Sequence, residues 1–185
     1  MMNEEYSKEE KIELLKLARD TILAKISGEA IPEKTTNNLK FQDKRGVFVT
    51  LHKDKELRGC IGYPLPMEPL YSGIIDNAIS ASTEDPRFTQ VNKEEFEKLS
   101  IEISILTVPK EIKDYKSIII GQDGIIISNE FNKGLFLPQV PVEQGWNLEQ
   151  YLSYGCLKAG LLHDEWKRNV KIEVFQAIVF GENDL

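Results

Sequence analysis

Hydrophobic residues near the start of the chain recur at the spacing of an amphipathic helix. The apolar stripe consists of Ile12, Leu15, Ala18, Ile22 and Ile26. Ser7 and Glu10 at its start form the pattern of a capping box, and Gly28 beyond it is typical of a helix end. The pattern therefore predicts a helix over residues 8–27 that covers a sheet.

Three more helices are predicted. They run from near Pro69 to just before Asp85, from Asn92 to near Leu99, and from Asn147 to Gly160. The first must stop before the Asp85-Pro86 pair because a residue preceding proline avoids helical geometry. An asparagine followed three residues later by Glu95 or Gln150 forms a capping pattern for the other two. Residues 29–45 are polar and have too little apolar periodicity to predict an element, so they are expected to lead into the next strand as a loop or a short extension.

Alternating and β-branched runs predict the strands. Residues 46–51 and 57–62 flank the polar turn at residues 53–56 and form a β-hairpin, and residues 101–106 alternate as a third strand. The other predicted strands are residues 118–120 and 125–127, joined by a turn, then 134–137 and 170–180. Hairpins imply antiparallel pairing. The order of elements therefore predicts an α+β fold, mainly antiparallel sheet with flanking helices, rather than a doubly wound parallel sheet.

Composition narrows the class of protein. A chain of 185 residues that is 41% hydrophobic suits one domain or two small lobes. A formal charge of −7 weighs against binding to a nucleic-acid backbone, which needs clustered cations. The acidic, polar start and the absence of a long apolar run predict a soluble cytoplasmic protein without a membrane span. One of its two cysteines, Cys156, lies on the apolar stripe of a predicted helix and is expected to be structural.

The other cysteine lies in the second strand of the hairpin, in the run Leu57-Arg58-Gly59-Cys60-Ile61-Gly62. Strand alternation directs Leu57 and Ile61 toward the core and Arg58 and Cys60 to the opposite face. On one interpretation Cys60 is a small buried hydrophobic residue and Arg58 is an exposed sheet residue. On the other, Arg58 favours the thiolate form of Cys60, or holds a carboxylate or phosphate itself.

Histidine offers a weaker candidate partner for the thiol. If the hairpin turn centres on Asp54 and Lys55, Cys60 pairs with Val49, which places His52 on the opposite face of the sheet from Cys60. A register change of one residue would reverse that placement. Neither the histidines nor the cysteines have the spacing of a zinc site, so no metal is predicted.

The chain resembles the AMMECR domain family, named for a chromosomal region linked to Alport syndrome, midface hypoplasia and elliptocytosis. The matching stretches are residues 48–51, the run at 57–62, Asp85-Pro86-Arg87-Phe88, residues 101–106, and residues 136–141 followed by 144–146. The resemblance implies a single domain over residues 1–185, with a larger and a smaller lobe around a cleft. The activity of the family is not established. Its prokaryotic members resemble one component of a system with Memo-like and radical-SAM proteins, which are therefore the expected partners.

The radical chemistry of such a system cannot belong to this chain. Two isolated cysteines cannot supply the thiolates of a radical-SAM iron–sulfur cluster, and no cofactor is predicted.

The resemblance also brings loop residues into consideration. Asp85 and Arg87 form either a self-contained turn with a solvated arginine or part of a ligand-binding cleft, and the family match favours the cleft. Glu102 is either a solvated strand residue or a carboxylate that faces Cys60 as a ligand contact or general base. Lys158 is either an ordinary helix residue or an anion contact.

These inferences predict a protein whose cleft binds a small or peptide-like anionic ligand through Arg58 and Arg87. Cys60 would be the reactive group in thiol-dependent transfer or hydrolysis. The alternative is a noncatalytic adaptor that docks a Memo-like or radical-SAM partner while Cys60 merely packs. RNA binding is a third possibility and would need basic and aromatic residues clustered on one face.

Overall fold

The computed structural model describes residues 6–168 and 170–185, and it confirms the α+β class. The chain divides into two compact units, one formed by the residues up to Leu106 with Ile178–Leu185, and the other by Thr107–Ala177. Each unit contains a four-stranded sheet. The pairs β1–β2, β1–β3, β4–β7, β5–β6 and β5–β7 are antiparallel. Within the described residues, no helix has the length and apolar character needed to cross a membrane.

The first unit contains most of the helical residues. Its helices are α1 (Lys8–Ser27), α2 (Leu39–Gln42), α3 (Leu70–Thr83) and α4 (Lys93–Phe96), and its strands are β1 (Gly46–Lys53), β2 (Glu56–Tyr63), β3 (Leu99–Leu106) and β8 (Ala177–Gly181). The strand order is β2-β1-β3-β8, which makes β2 an edge strand. The position of β2 matters because it carries Cys60.

The first helix has the predicted bounds, and its caps explain them. Ser7 and Glu10 make both hydrogen bonds of the capping box, and Gly28 ends the helix in the left-handed conformation at φ 72°. Its buried face packs with α3 on one side of the first sheet. Core side chains from that side of the sheet include Val49 and Ile103, both fully buried. Helices therefore occupy one face, and the opposite face of β1 and β3 carries the alternate side chains.

The second unit is built around a single longer helix. Its helices are α5 (Val140–Glu143) and α6 (Leu148–Lys158), and its strands are β4 (Lys110–Glu111), β5 (Gly124–Ser128), β6 (Lys133–Phe136) and β7 (Lys171–Phe175), in the order β4-β7-β5-β6. Asn147 caps α6 with the predicted box. Cys156 is fully buried in a core with Ile125 and Ile127 of β5.

Three predictions about secondary structure were wrong. Residues 118–120 are not a strand, and β5 instead forms a hairpin with β6. Residues 170–180 do not form one strand, because Gln176 separates β7 from β8, which belong to different sheets. The side chain of Gln176 donates to Asp123, and its backbone N–H donates to Thr107. The polar stretch predicted as a loop contains α2, which buries Phe41.

The close approach of β2 to α3 makes a stability prediction. A Cβ at Gly59 would lie 2.2 Å from the carbonyl oxygen of Ala81, a backbone atom that cannot rotate away. Gly59→Ala should lower the free energy of unfolding by about 1–3 kcal/mol, the usual cost of overpacking. Urea denaturation measures it. Ser104→Ala, on the half-exposed face of β3, is the control and should change stability by less than about 0.5 kcal/mol. Equal stability of the two variants would contradict the close contact.

Candidate functional site

The strand that carries the thiol contains a β-bulge, and the bulge determines which way its side chains point. Cys60 lies opposite Thr50 and Gly59 opposite Leu51, but His52 lies opposite Leu57. The extra residue on β2 is therefore Arg58. The predicted pairing of Cys60 with Val49 was wrong by one residue, since the prediction assumed a regular hairpin.

The bulge separates Arg58 from Cys60. Arg58 donates to both carboxylate oxygens of Glu95 in α4, at 2.7 and 3.0 Å, and to the carbonyl oxygen of Thr89 at 2.8 Å. Lys53 lies two residues after Leu51 and so points to the same, core-facing side of β1. Its ammonium group also forms an ion pair with Glu95. Arg58 therefore lies on the helix side of the sheet, and the prediction that it shares a face with Cys60 was wrong. The predicted burial of Leu57 was wrong as well, because that residue is 42% exposed.

The ion pair accounts for most of the hydrogen-bonding capacity of Arg58. The guanidinium holds the pKa of Glu95 below its usual value, although burial acts in the opposite direction. One guanidinium nitrogen, Nη1, is buried and makes no hydrogen bond within the described part of the chain. The Arg58 charge is therefore compensated inside the protein. Its predicted role as a ligand contact stays a prediction.

Cys60 lies in a row of polar side chains across the other face of the sheet. Thr50 pairs with Cys60 on one side and with Glu102 on the other, so the three residues occupy successive strands on the same face. The Thr50 hydroxyl lies 3.3 Å from the Cys60 sulfur, within hydrogen-bonding distance. Cys60 is half-buried and Glu102 is partly exposed. The thiol and the carboxylate are separated by one strand, about 10 Å between their Cα atoms.

His52 lies on this same face. The ladder between β1 and β3 is regular, so His52 and Thr50, two residues apart, point the same way. The predicted placement of His52 on the face opposite to Cys60 was therefore wrong, because Cys60 pairs with Thr50 and not with Val49. The half-exposed face thus presents a thiol, a hydroxyl, a carboxylate and an imidazole.

Asp85 and Arg87 hold the backbone of Cys60 at the open edge of β2. The Asp85 carboxylate accepts the Cys60 N–H at 2.9 Å, and the Arg87 guanidinium donates to the Cys60 carbonyl oxygen at 3.2 Å. Arg87 also donates to Asp85 from its backbone, Nε and Nη2 atoms. The ring of Phe88 lies under both guanidinium groups, 5.7 Å from Arg58 and 5.5 Å from Arg87. We call residues 85–89 the clamp loop.

The electrostatics of the clamp loop follow from these contacts. Hydrogen bonds from Arg87 hold the pKa of Asp85 far below its usual range, and the Cys60 and Arg87 backbone N–H groups add to the effect. The same pair raises the pKa of Arg87. The Asp85 side chain is 2% exposed, whereas that of Arg87 is 53% exposed. Arg87 can therefore contact a ligand while it remains paired with Asp85.

The remaining candidates lie in the second unit. The Lys158 ammonium lies 4.2 Å from the centroid of the Phe136 ring, in a cation–π contact. Burial raises the pKa of Cys156, which disfavours its thiolate. Among residues 6–168 and 170–185, no group of three or more histidine, cysteine or carboxylate side chains could hold a metal ion. The predicted cleft and the ligand roles of Arg87, Glu102 and Lys158 stay predictions.

Two residues of the site were missed by the sequence analysis, Thr50 and Glu95. Glu95 was interpreted as the reciprocal member of a capping box, but its carboxylate pairs with Arg58, and only the Asn92 half of the box was found. Thr50 becomes the neighbour of Cys60 only because the bulge changes the register. The available signal was Gly59, since an isolated glycine within a strand pattern indicates a bulge or a close backbone approach.

The protein has an α+β fold of two antiparallel sheets with helices, and it holds a half-exposed thiol at the edge of the first sheet. A solved structure has the same fold. The crystal structure of an uncharacterized protein, PH0010 from Pyrococcus horikoshii, matches with a TM-score of 0.77 and 37% sequence identity, covering 97% of this chain and 95% of that chain. The chain belongs to the AMMECR1 family, whose family model matches residues 15–180.

Curated relatives agree with this assignment. Protein MJ0810 of Methanocaldococcus jannaschii is 52% identical over 151 residues, covering 77% of this chain and 75% of the relative. Protein MK0488 of Methanopyrus kandleri is 46% identical over 194 residues, covering 99% and 93%. These comparisons confirm the family resemblance and establish no activity.

The clamp loop makes a pH-dependent prediction. Asp85→Asn should destabilise the protein near neutral pH, because it removes the charge that Arg87 and the Cys60 N–H contact, by about 1.5–3 kcal/mol. The folded-state pKa of Asp85 is depressed, so its contribution is complete above the unfolded pKa of about 4 and is lost as pH falls toward the folded value. The stability difference between wild type and variant should therefore shrink below about pH 4.

Urea unfolding at several pH values measures this difference. Asp20→Asn, an exposed substitution on α1, is the control. A difference between wild type and Asp85→Asn that stays constant from neutral to strongly acidic pH would show that the Asp85 charge is not what stabilises the clamp.

The two thiols should differ in reactivity. Cys60 is half-buried with a hydroxyl and a partly exposed guanidinium nearby, whereas Cys156 is fully buried and its pKa is raised. Iodoacetamide should modify Cys60 in the folded protein and Cys156 only after unfolding. Mass spectrometry of peptides from a timed reaction measures both rates. Faster labelling of Cys156, or equally slow labelling of both, would remove the case for an accessible Cys60.

Proposed function

We propose that this protein is a thiol-dependent enzyme that acts on a small or peptide-like substrate carrying an anionic group. The observation that carries the proposal is the geometry of Cys60: the clamp loop binds both its backbone N–H and its carbonyl oxygen, while its sulfur lies half-exposed beside the Thr50 hydroxyl. A nucleophile needs a fixed position and an accessible reactive atom, and Cys60 combines the two.

The chemistry we propose is acyl transfer or hydrolysis. The Cys60 sulfur attacks an electrophilic carbonyl carbon, and a carbon–sulfur bond forms as the bond to the leaving group breaks. The leaving group departs with the proton that the thiol gave up. Water or a second acceptor then attacks the thioester, which releases the acyl group and returns a proton to Cys60.

Four neighbours have distinct roles in this proposal. His52 is the imidazole on the same face and takes the thiol proton through an intervening water. The Thr50 hydroxyl donates a hydrogen bond to the sulfur and holds it in position. Arg87, 53% exposed, contacts the anionic group of the substrate. Glu102, one strand further across the face, contacts an amine of the substrate.

The expected partners belong to the same proposal. The family resemblance supports a role in a modification system with Memo-like and radical-SAM proteins. In that setting the protein would prepare or transfer a group that the radical enzyme modifies.

A second candidate function is a noncatalytic adaptor for those partners. It is favoured by one observation, the internal ion pair of Arg58 with Glu95, because the most prominent cation of the hairpin is used for folding rather than for binding a substrate. The adjacent Leu57 is 42% exposed and would contribute to a docking surface. RNA binding stays a prediction.

Replacing the thiol separates the two functions. Cys60→Ser preserves the size of the side chain but removes the nucleophile, so an enzyme should lose nearly all activity while an adaptor should remain functional. The measurement pairs genetic complementation with a pull-down using the Memo-like and radical-SAM proteins. Circular dichroism and thermal unfolding verify the fold of each variant.

Two further variants sharpen the comparison. Ser104→Ala, on the same face of β3, is the matched control and should be functional. Arg87→Lys keeps the charge but loses the planar fork, and should weaken both the clamp and the substrate contact. A fully functional Cys60→Ser protein would rule out the thiol enzyme. Lost function with an intact fold and intact partner binding would rule out the simple adaptor.

A further inference from the structure

Two residues of β2 hold the clamp loop. Asp85, the first residue of the loop, accepts the backbone N–H of Cys60, and Arg87 donates to the Cys60 carbonyl oxygen. Thr89, the last residue of the loop, accepts a hydrogen bond of 2.8 Å from the Arg58 guanidinium through its carbonyl oxygen. The loop is therefore attached to the edge strand at both of its ends.

The guanidinium of Arg58 is itself held in place. It donates to both oxygens of the Glu95 carboxylate, and Glu95 lies in α4, where its backbone N–H donates to the Asn92 side chain at 3.0 Å. The side chains of Arg58 and Glu95 are only 12% and 11% exposed, so solvent screens their attraction little. Arg58 therefore joins the end of the clamp loop to a fixed point on α4.

The Phe88 ring couples the two arginines. Its centroid lies 5.7 Å from the Arg58 guanidinium and 5.5 Å from that of Arg87, so both cations contact one ring. The loop is also a tight turn, because the Phe88 N–H donates to the Asp85 carbonyl oxygen at 3.1 Å. A displacement at Thr89 is therefore transmitted to Arg87 across a single turn of the chain.

Arg87 is the residue through which the loop acts on the thiol. Its guanidinium is exposed, and it reaches the carbonyl oxygen of Cys60. Hydrogen bonding to Asp85 raises the pKa of Arg87, and Cys60 adds to the effect, so the cation also interacts with the thiol. The position of Arg87 therefore decides whether a cation lies beside the sulfur when an anionic molecule approaches it.

We propose that Arg58 is a positioning residue for the thiol: it fixes the end of the clamp loop so that Arg87 stays beside Cys60. The proposal rests on the thiol-dependent function proposed above and names a residue that prepares that site without contacting the substrate. Arginine suits this role because its planar fork donates to Glu95 and to Thr89 at the same time. A lysine at this position would keep the charge and lose one of the two partners.

The choice between two alkylating reagents reports the cation beside the sulfur. Iodoacetate and iodoacetamide differ by one negative charge and both react with the thiolate, so the thiolate fraction cancels in the ratio of their rates. The protein is treated with an equimolar mixture at low ionic strength, and mass spectrometry of the Cys60 peptide gives the ratio of carboxymethyl to carbamidomethyl adducts. In wild type this ratio should be at least about twofold higher than in the urea-unfolded protein.

Three variants test the role of Arg58. Arg58→Lys should lower the ratio to the value of Arg87→Gln, the variant without the exposed guanidinium. Lys53→Gln is the matched control, because Lys53 also pairs with Glu95 and, within the described part of the chain, makes no hydrogen bond to the clamp loop. This control loses a positive charge that Arg58→Lys keeps, yet its ratio should equal that of wild type. The comparison therefore separates positioning from net charge.

Amide hydrogen exchange shows whether the clamp itself has loosened. The Cys60 N–H is held by Asp85, so its exchange should be severalfold faster in Arg58→Lys than in wild type. Ile61, which pairs with Val49 in the ladder, should exchange at the wild-type rate. Phe88→Leu removes the ring between the two guanidinium groups and leaves the ion pair of Arg58 in place, so it should change both readouts in the same direction if Arg58→Lys does not fold.

The outcomes separate this proposal from the proposed function. A wild-type ratio no higher than that of the unfolded protein, an unchanged ratio in Arg58→Lys, or an equal fall in Lys53→Gln would each overturn the positioning role. A lowered ratio with unchanged exchange at Cys60 would overturn it as well, since the clamp would not be the route. Failure of the thiol function is visible independently, as a fully functional Cys60→Ser protein. A lowered ratio and faster exchange at Cys60, both absent from Lys53→Gln, would support the proposal.

Discussion

The carboxylate of Asp85 is the interaction on which the geometry of the thiol strand depends. An edge strand leaves alternate N–H and C=O groups without a neighbouring strand, and those groups need partners. Asp85 accepts the N–H of Cys60 and Arg87 donates to its carbonyl oxygen, so two side chains take the place of a further strand. The clamp loop contacts the backbone of Cys60 and not its sulfur. The thiol is therefore fixed in position while its side chain stays half-exposed.

The bulge at Arg58 distributes the charges of the hairpin between the two faces. One added residue turns the guanidinium toward Glu95 on the helix side and leaves Cys60 beside Thr50 on the other. The arginine that a regular strand would place next to the thiol therefore stabilises the junction of β2 with α4. The exposed cation next to Cys60 is instead Arg87.

Predictions succeeded where the signal was local. The bounds of α1 follow from a capping box and a glycine, both decided within a few residues of the helix ends. The hairpin turn at Asp54 and Lys55 was likewise found. Predictions failed where pairing partners lie far apart in sequence. The isoleucines at residues 118–120 have the composition of a strand, but β5 pairs with β6 and β7 instead.

The sequence by itself determined the α+β class, the family and the identity of the chemical groups, since helix periodicity, strand alternation and the hairpin motif are all properties of neighbouring residues. It also pointed to Asp85 and Arg87. Only the tertiary structure decided what those groups do to one another. A single extra residue in β2 reverses the faces of Arg58 and Leu57 and brings Thr50 and His52 to the side of the thiol. Strand register could not be predicted because it is set by long-range pairing and packing that no local pattern contains.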